Sequence, residues 1–160
     1  MVLSEFIYGG MDGVITTVAI IAGTMGANIA PKYALILGLS NIMADGFSMG
    51  ISRYNSLVDI VKSNANSEIA LRSPLMSAIM TFIFFVLMGS IPLLPFVFDI
   101  KTEFIQYYLL VSSLLAFLII GLIKGLTTKK YLKSLGEIII IGSIGALISY
   151  HVASKVKNYV

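Results

Sequence analysis

Gly9-Gly10-Met11-Asp12-Gly13-Val14-Ile15-Thr16-Thr17 and Asn41-Ile42-Met43-Ala44-Asp45-Gly46-Phe47-Ser48-Met49-Gly50 are two apolar segments, each interrupted by one carboxylate. Both lie in runs otherwise apolar enough to enter a bilayer. A carboxylate at the centre of a membrane helix opposes insertion by about 2.5–3.5 kcal/mol. Two oppose it by roughly 5–7 kcal/mol per chain. No structural gain visible in the sequence offsets that cost. The two acids therefore read as lining a path for something cationic.

The rest of the composition supports a membrane reading. Of 160 residues, 58% are hydrophobic and 12% charged, with a mean hydropathy of +0.95. A soluble domain carries about twice that charge. The class expected is an all-α integral membrane protein with a single transmembrane domain over residues 1–160 and no room for a separate catalytic domain. The net charge of +3 is spread over short loops, where it orients helices and is no nucleic-acid signal. Cysteine is absent, which excludes disulfides and thiolate metal ligands. The N-terminal apolar stretch lacks a basic leader and a cleavage signal, so it reads as the first span and not as a signal peptide.

Five spans are expected, at about 6–29, 33–54, 73–98, 104–123 and 135–153, with a short cytosolic linker at 55–72. The first two are joined so closely, across Pro31-Lys32, that they must form an antiparallel hairpin. The third, Ser73 to Phe98, holds no charge, and Pro92 and Pro95 are placed to end or kink it. In the linker, Leu57, Val58, Ile60 and Val61 are expected to extend the second helix beyond the membrane. Asn64-Ala65-Asn66-Ser67 is the expected turn.

Arg53, Lys62, Arg72, Lys124, Lys129, Lys130 and Lys133 fall on the N-terminal side, against Lys32, Lys101, Lys155 and Lys157 on the other. This bias predicts a cytosolic N-terminus and an extracytosolic C-terminus, in a cell membrane or a vacuole-type membrane. Small residues recur at helix-packing spacing in Gly9/Gly13, Gly46/Gly50 and Gly121/Gly125, for contacts within one protomer or along a dimer seam.

Helical spacing sorts the polar groups. Glu5 and Asp12 are seven apart on one face of the first span, with Thr16 one turn beyond. Asn41, Asp45 and Met49 form one stripe of the second. Packed together, the stripes offer carboxylate and amide oxygens and a thioether sulfur at membrane depth. Mg²⁺ and Ca²⁺ gain nothing from Met49, and Zn²⁺ sites usually hold His or Cys, which neither span contains. Fe²⁺ or Mn²⁺ suits the set best, with other divalent ions left open. A carboxylate at such depth can take up a proton when metal is absent, so Asp12 and Asp45 are also the expected proton carriers. A competing reading has Asp12 capping a helix that begins at Gly13, which leaves about 17 residues, the short limit for a span. Asp59 and Glu68 read first as a solvated face and second, with Glu137 at the start of the fifth span, as a cytosolic mouth. His151 reads as interfacial, and Lys124 as a snorkelling side chain.

These residues resemble the vacuolar iron transporter family. The resemblance is carried by Gly10-Met11-Asp12-Gly13-Val14 with Ala22-Gly23, and by Ala44-Asp45-Gly46-Phe47-Ser48-Met49-Gly50. It continues through Gly89 with Pro92-Leu93-Leu94-Pro95-Phe96, Gly121 with Lys124, and Glu137 with Ile141-Gly142. It implies a five-helix homodimer with the ion path between protomers. It also implies export of Fe²⁺, with Mn²⁺ as a second substrate, coupled to inward proton movement. Glu5 and Asp12 match the family's path-lining acids seven apart, and Met49 its motif methionine. Asn41 stands where the family has an acid, and Arg53 near where relatives often carry one. The glutamate-rich cytosolic domain of plant-type members has no counterpart in 55–72.

The expected function is thus a divalent-metal transporter with Glu5 at the cytosolic entrance and Asp12, Asp45, Met49 and Asn41 around the ion. A selective cation channel and a non-transporting structural or regulatory subunit are the alternatives. No resident cofactor is expected, and no enzyme, since the spans hold no His-rich or nucleophile constellation.

Overall fold

A computed structural model describes residues 2–63, 73–98 and 104–159. Five of its helices are long and apolar enough to cross a membrane. They are α1 (Val2–Gly26), α2 (Pro31–Ser63), α3 (Pro74–Ser90), α5 (Ile105–Thr128) and α6 (Tyr131–Val156), with α3 prolonged by a 3₁₀ turn (Ile91–Leu93) into the short α4 (Leu94–Val97). The chain is therefore an all-helical, multi-pass membrane protein.

The element ends follow from local chemistry. Asn28 sits in the left-handed region at φ 59°, its N–H donating to Met25 O and that of Ile29 to Thr24 O, at 3.1 and 2.9 Å. That is a Schellman termination, with Asn in place of the more usual Gly. Pro31, free of any N–H to satisfy, then opens α2. Ser73 caps α3, its Oγ accepting from Met76 N, with Pro74 in the first turn. Pro92 and Pro95 break the regular helix into the 3₁₀ turn and α4, the interruption their positions predict. Helix α2 runs on as regular helix to Ser63, with Leu57 buried. The expected turn at Asn64–Ser67 lies outside the described residues.

Helix α1 is central and touches α2, α3, α5 and α6, leaning most heavily on α3 and α6. One buried cluster gathers Val14, Met88, Ala116, Phe117, Ile120 and Ile138; another gathers Ile21, Ile42, Phe85, Leu93, Ile105 and Leu109. The three glycine pairs all pack within one chain. A Cβ on Gly9 or Gly13 would strike the α3 backbone at Thr81 or Phe85. Gly46 faces the rings of Phe82 and Phe85, and Gly50 the carbonyl of Ala78. Gly121 and Gly125 lie against Leu135 and Tyr131 of α6. Close backbone approach is what such residues provide between membrane helices. Near the other end of α1, Ser149 Oγ donates to Ala19 O at 2.6 Å, beside Gly23. The outward faces are apolar, with Ile36, Phe47, Leu75, Leu110 and Leu147 all exposed, as a lipid-facing surface requires.

Candidate metal-binding groove between the first two helices

Helix α1 is continuous from Val2, so Asp12 lies in its interior and caps nothing. The capping alternative fails because Gly9, Gly10 and Gly13 seat this part of the chain on α3 as regular helix. Asp45 likewise lies mid-helix in α2.

A groove of about 520 Å³ opens beside α1. Ser4, Ile7, Tyr8, Met11, Asp12 and Ile15 line it from α1, and Met49 from α2. Asp12 is half-buried and is the carboxylate of that wall. Asp45, one helical turn from Met49, is close enough for its charge to act on Asp12. Its Oδ2 accepts from Asn41 Nδ2 at 3.0 Å, a bond that fixes the carboxylate along the stripe and leaves its other oxygen for a second partner. Asp12 and Met49 thus share the groove wall, and Asp45 is near enough to Asp12 for their charges to interact. No three acid, His or Cys side chains converge on one point among the described residues.

The remaining sequence-predicted residues lie elsewhere. Glu5 is 1% exposed, with Oε1 accepting from Arg53 at 2.9 Å and Oε2 from Ser4 Oγ at 2.9 Å. Glu137 is held by Lys124 at 2.9 Å and lies 3.9 Å from Lys133, so Lys124 has a fixed partner. Asp59 is exposed on α2, and Glu68 lies outside the described residues. His151 is exposed, its ring edge-to-face on Tyr150. The pairing that the sequence reading did not anticipate is that of Arg53 with Glu5. Its signal was present: Asn41, Asp45, Met49 and Arg53 are spaced by four throughout, so the polar stripe of α2 ends on a guanidinium.

Five membrane-length helices, with one carboxylate and a thioether in the wall of an otherwise largely apolar groove, define a polytopic membrane protein. Its relationships agree with that architecture. The chain belongs to the VIT family, whose sequence model matches residues 3–66 and 57–154. It is 46% identical over 54 residues to the vacuolar iron transporter of Plasmodium berghei, a stretch covering 34% of this chain and 20% of that protein. The Plasmodium falciparum vacuolar iron transporter is 44% identical over 54 residues, with the same coverage of 34% and 20%. That of Toxoplasma gondii is 44% identical over 65 residues, covering 39% and 22%. The aligned stretches span about a fifth of each of these relatives. Membership of this family agrees with the reading that the chain is not an enzyme.

Proposed function

We propose that the chain moves Fe²⁺, and Mn²⁺ as a second substrate, out of the cytosol in exchange for protons. The observation that carries this reading is the half-buried carboxylate of Asp12 in an open groove, beside Met49 and within the field of Asp45. Two acids near enough to interact repel each other and are expensive at membrane depth, and a divalent ion or a proton relieves both penalties. The names of the relatives support iron as cargo. Met49 favours a softer ion over Mg²⁺ or Ca²⁺. Asn41 holds Asp45, and a mixed shell of this kind binds weakly enough to release its ion.

The protein acts in this reading as a homodimer, because a single chain supplies too few ligands and its groove is open on one side. The N-terminus faces the cytosol, and the C-terminus the cell exterior or a vacuole-type lumen. The test is Fe²⁺ and Mn²⁺ flux into liposomes holding the purified chain, beside Asp12→Ala and Asp45→Ala. Flux should collapse in both variants and respond to an imposed pH gradient. Unchanged flux in both would remove the site. Flux indifferent to the gradient would leave a channel in place of the antiporter.

A further inference from the structure

The metal reading leaves one charged cluster unused. Arg53 closes the polar stripe of α2 one turn beyond Met49 and reaches across to Glu5 on α1, two turns from Asp12. Its guanidinium carbon lies 5.8 Å from the centroid of Tyr8, a residue of the groove wall. Ser4, the other partner of Glu5, is also part of that wall. The ion pair thus stands where the groove meets the end of the bundle that carries Lys62. It is also unevenly satisfied. Both oxygens of Glu5 are occupied. The Nε of Arg53 is buried with no hydrogen-bond partner among the described residues. A fixed structural arginine would normally use that donor, since a buried one left unmade costs free energy.

Resting on the metal-site reading above, we infer that Arg53 is a tethered competitor of the transported cation. Its guanidinium occupies the Glu5 carboxylate, and an entering divalent ion must displace it to gain Glu5 as a ligand. The chemistry is one of exchange between cations on one carboxylate. With Arg53 in place, Glu5 is neutralised and shut off from the groove. With Arg53 swung out into water, Glu5 becomes an open anionic ligand on the face that leads to Asp12. The device sets a threshold, since only an ion that binds Glu5 more strongly than a guanidinium does can open the entrance.

The test uses the full chain in liposomes, with Mn²⁺ uptake as one readout and the Mn²⁺-induced rise in melting temperature in detergent as the other. Arg53→Gln should lower the KM for Mn²⁺ roughly tenfold, the scale of one partly screened charge interaction. It should also enlarge the Mn²⁺-induced rise. Arg53→Lys, which keeps the competing charge, should hold KM near the parent value. Glu5→Gln should raise KM, and the double variant should match Glu5→Gln alone, because Arg53 acts only through Glu5. Arg53→Gln with a lower melting temperature but an unchanged KM and Mn²⁺ response would show a plain structural clamp and overturn the inference. If Arg53→Gln does not fold, Glu5→Gln carries the test through its own Mn²⁺ response. Failure of both to fold would again mean a clamp. Asp12→Ala separates the two levels: an undiminished Mn²⁺ response there overturns the site itself, whereas its loss together with an unresponsive Arg53→Gln overturns only the competitor.

Discussion

The substitution Gly13→Ala tests the fold and the groove together. Gly13 follows Asp12 and faces the α3 backbone. A methyl group there would meet the carbonyl of Phe85, with that residue's carbonyl carbon at 3.1 Å and Cα at 3.2 Å. Ordinary van der Waals contact begins near 3.4 Å. The obstacle is backbone, so no rotamer change relieves it, and α1 must lift off α3 by several tenths of an ångström. Overpacking of this kind costs about 1–3 kcal/mol. Two kcal/mol lowers the folded-to-unfolded ratio roughly thirtyfold. Gly136→Ala is the internal control: nothing lies within 4 Å of its added Cβ, so only the helix-propensity gain of up to about 1 kcal/mol remains. The assay is helix content through a sodium dodecyl sulfate titration, followed by Mn²⁺ flux of both variants. Gly13→Ala should unfold at lower detergent fraction and lose flux as Asp12 shifts, while Gly136→Ala should match or exceed the parent in stability. Parental stability in Gly13→Ala would refute the close approach of α1 and α3 on which the groove depends.

Asp12→Asn should cut Mn²⁺ flux roughly tenfold or more, the weight of a charge-assisted contact of about 1.5–3 kcal/mol, as measured in proteoliposomes. Met49→Leu conserves volume and should cost under about 1.5 kcal/mol of stability, while narrowing the preference for Fe²⁺ over Ca²⁺ in competition uptake. Asn41→Ala leaves Asp45 present but unanchored, so uptake should fall by roughly two- to tenfold, the range of one ordinary hydrogen bond. Ser149→Ala removes the bond to Ala19 O and should cost about 0.6 kcal/mol, the average for interhelical hydrogen bonds in membranes, read by the same detergent titration.

Much of the architecture was legible in one dimension. Hydropathy marks the five long helices, Pro92 and Pro95 mark the break after Ser90, and apolar spacing at Leu57 and Val61 marks the overrun of α2. These are local properties of the chain. Periodicity also placed Asn41, Asp45 and Met49 on one stripe, and the hydrogen bond from Asn41 to Asp45 is the i, i+4 contact such spacing allows. What periodicity cannot give is which stripe meets which. Glu5 and Asp12 share a face by spacing, yet Glu5 is tied to Arg53, 48 residues away, and lies outside the groove wall. The same limit applies to Lys124, whose partner Glu137 belongs to the next helix. Whether Asp12 capped a helix or sat inside one was equally unreadable from Asp-Gly alone. The answer came from glycine contacts with α3, a helix about seventy residues further along.

The way α1 and α2 are held gives the groove its mechanical character. Each is seated on α3 by its own glycine pair, Gly9/Gly13 against backbone and Gly46/Gly50 against Phe82, Phe85 and Ala78. Against each other the two helices make far less contact than either makes with α3. Asp12 and Asp45 therefore sit on two helices that are packed less closely on each other than on α3, while the backbones that carry them are anchored from behind. Met11, Ile15 and Met49 of the groove wall pack against the two buried clusters, and Ile21 of α1 shares one of them with Ile42 of α2, so the seam between the two helices is tied to the core along part of its length. Packed interiors resist continuous deformation, so motion concentrates where packing is thinnest. Across that seam, near its end, Glu5 and Arg53 are joined at 2.9 Å. Carboxylates on two separately anchored helices, latched by one ion pair, make an arrangement in which a cation's arrival can change both the latch and the width of the path.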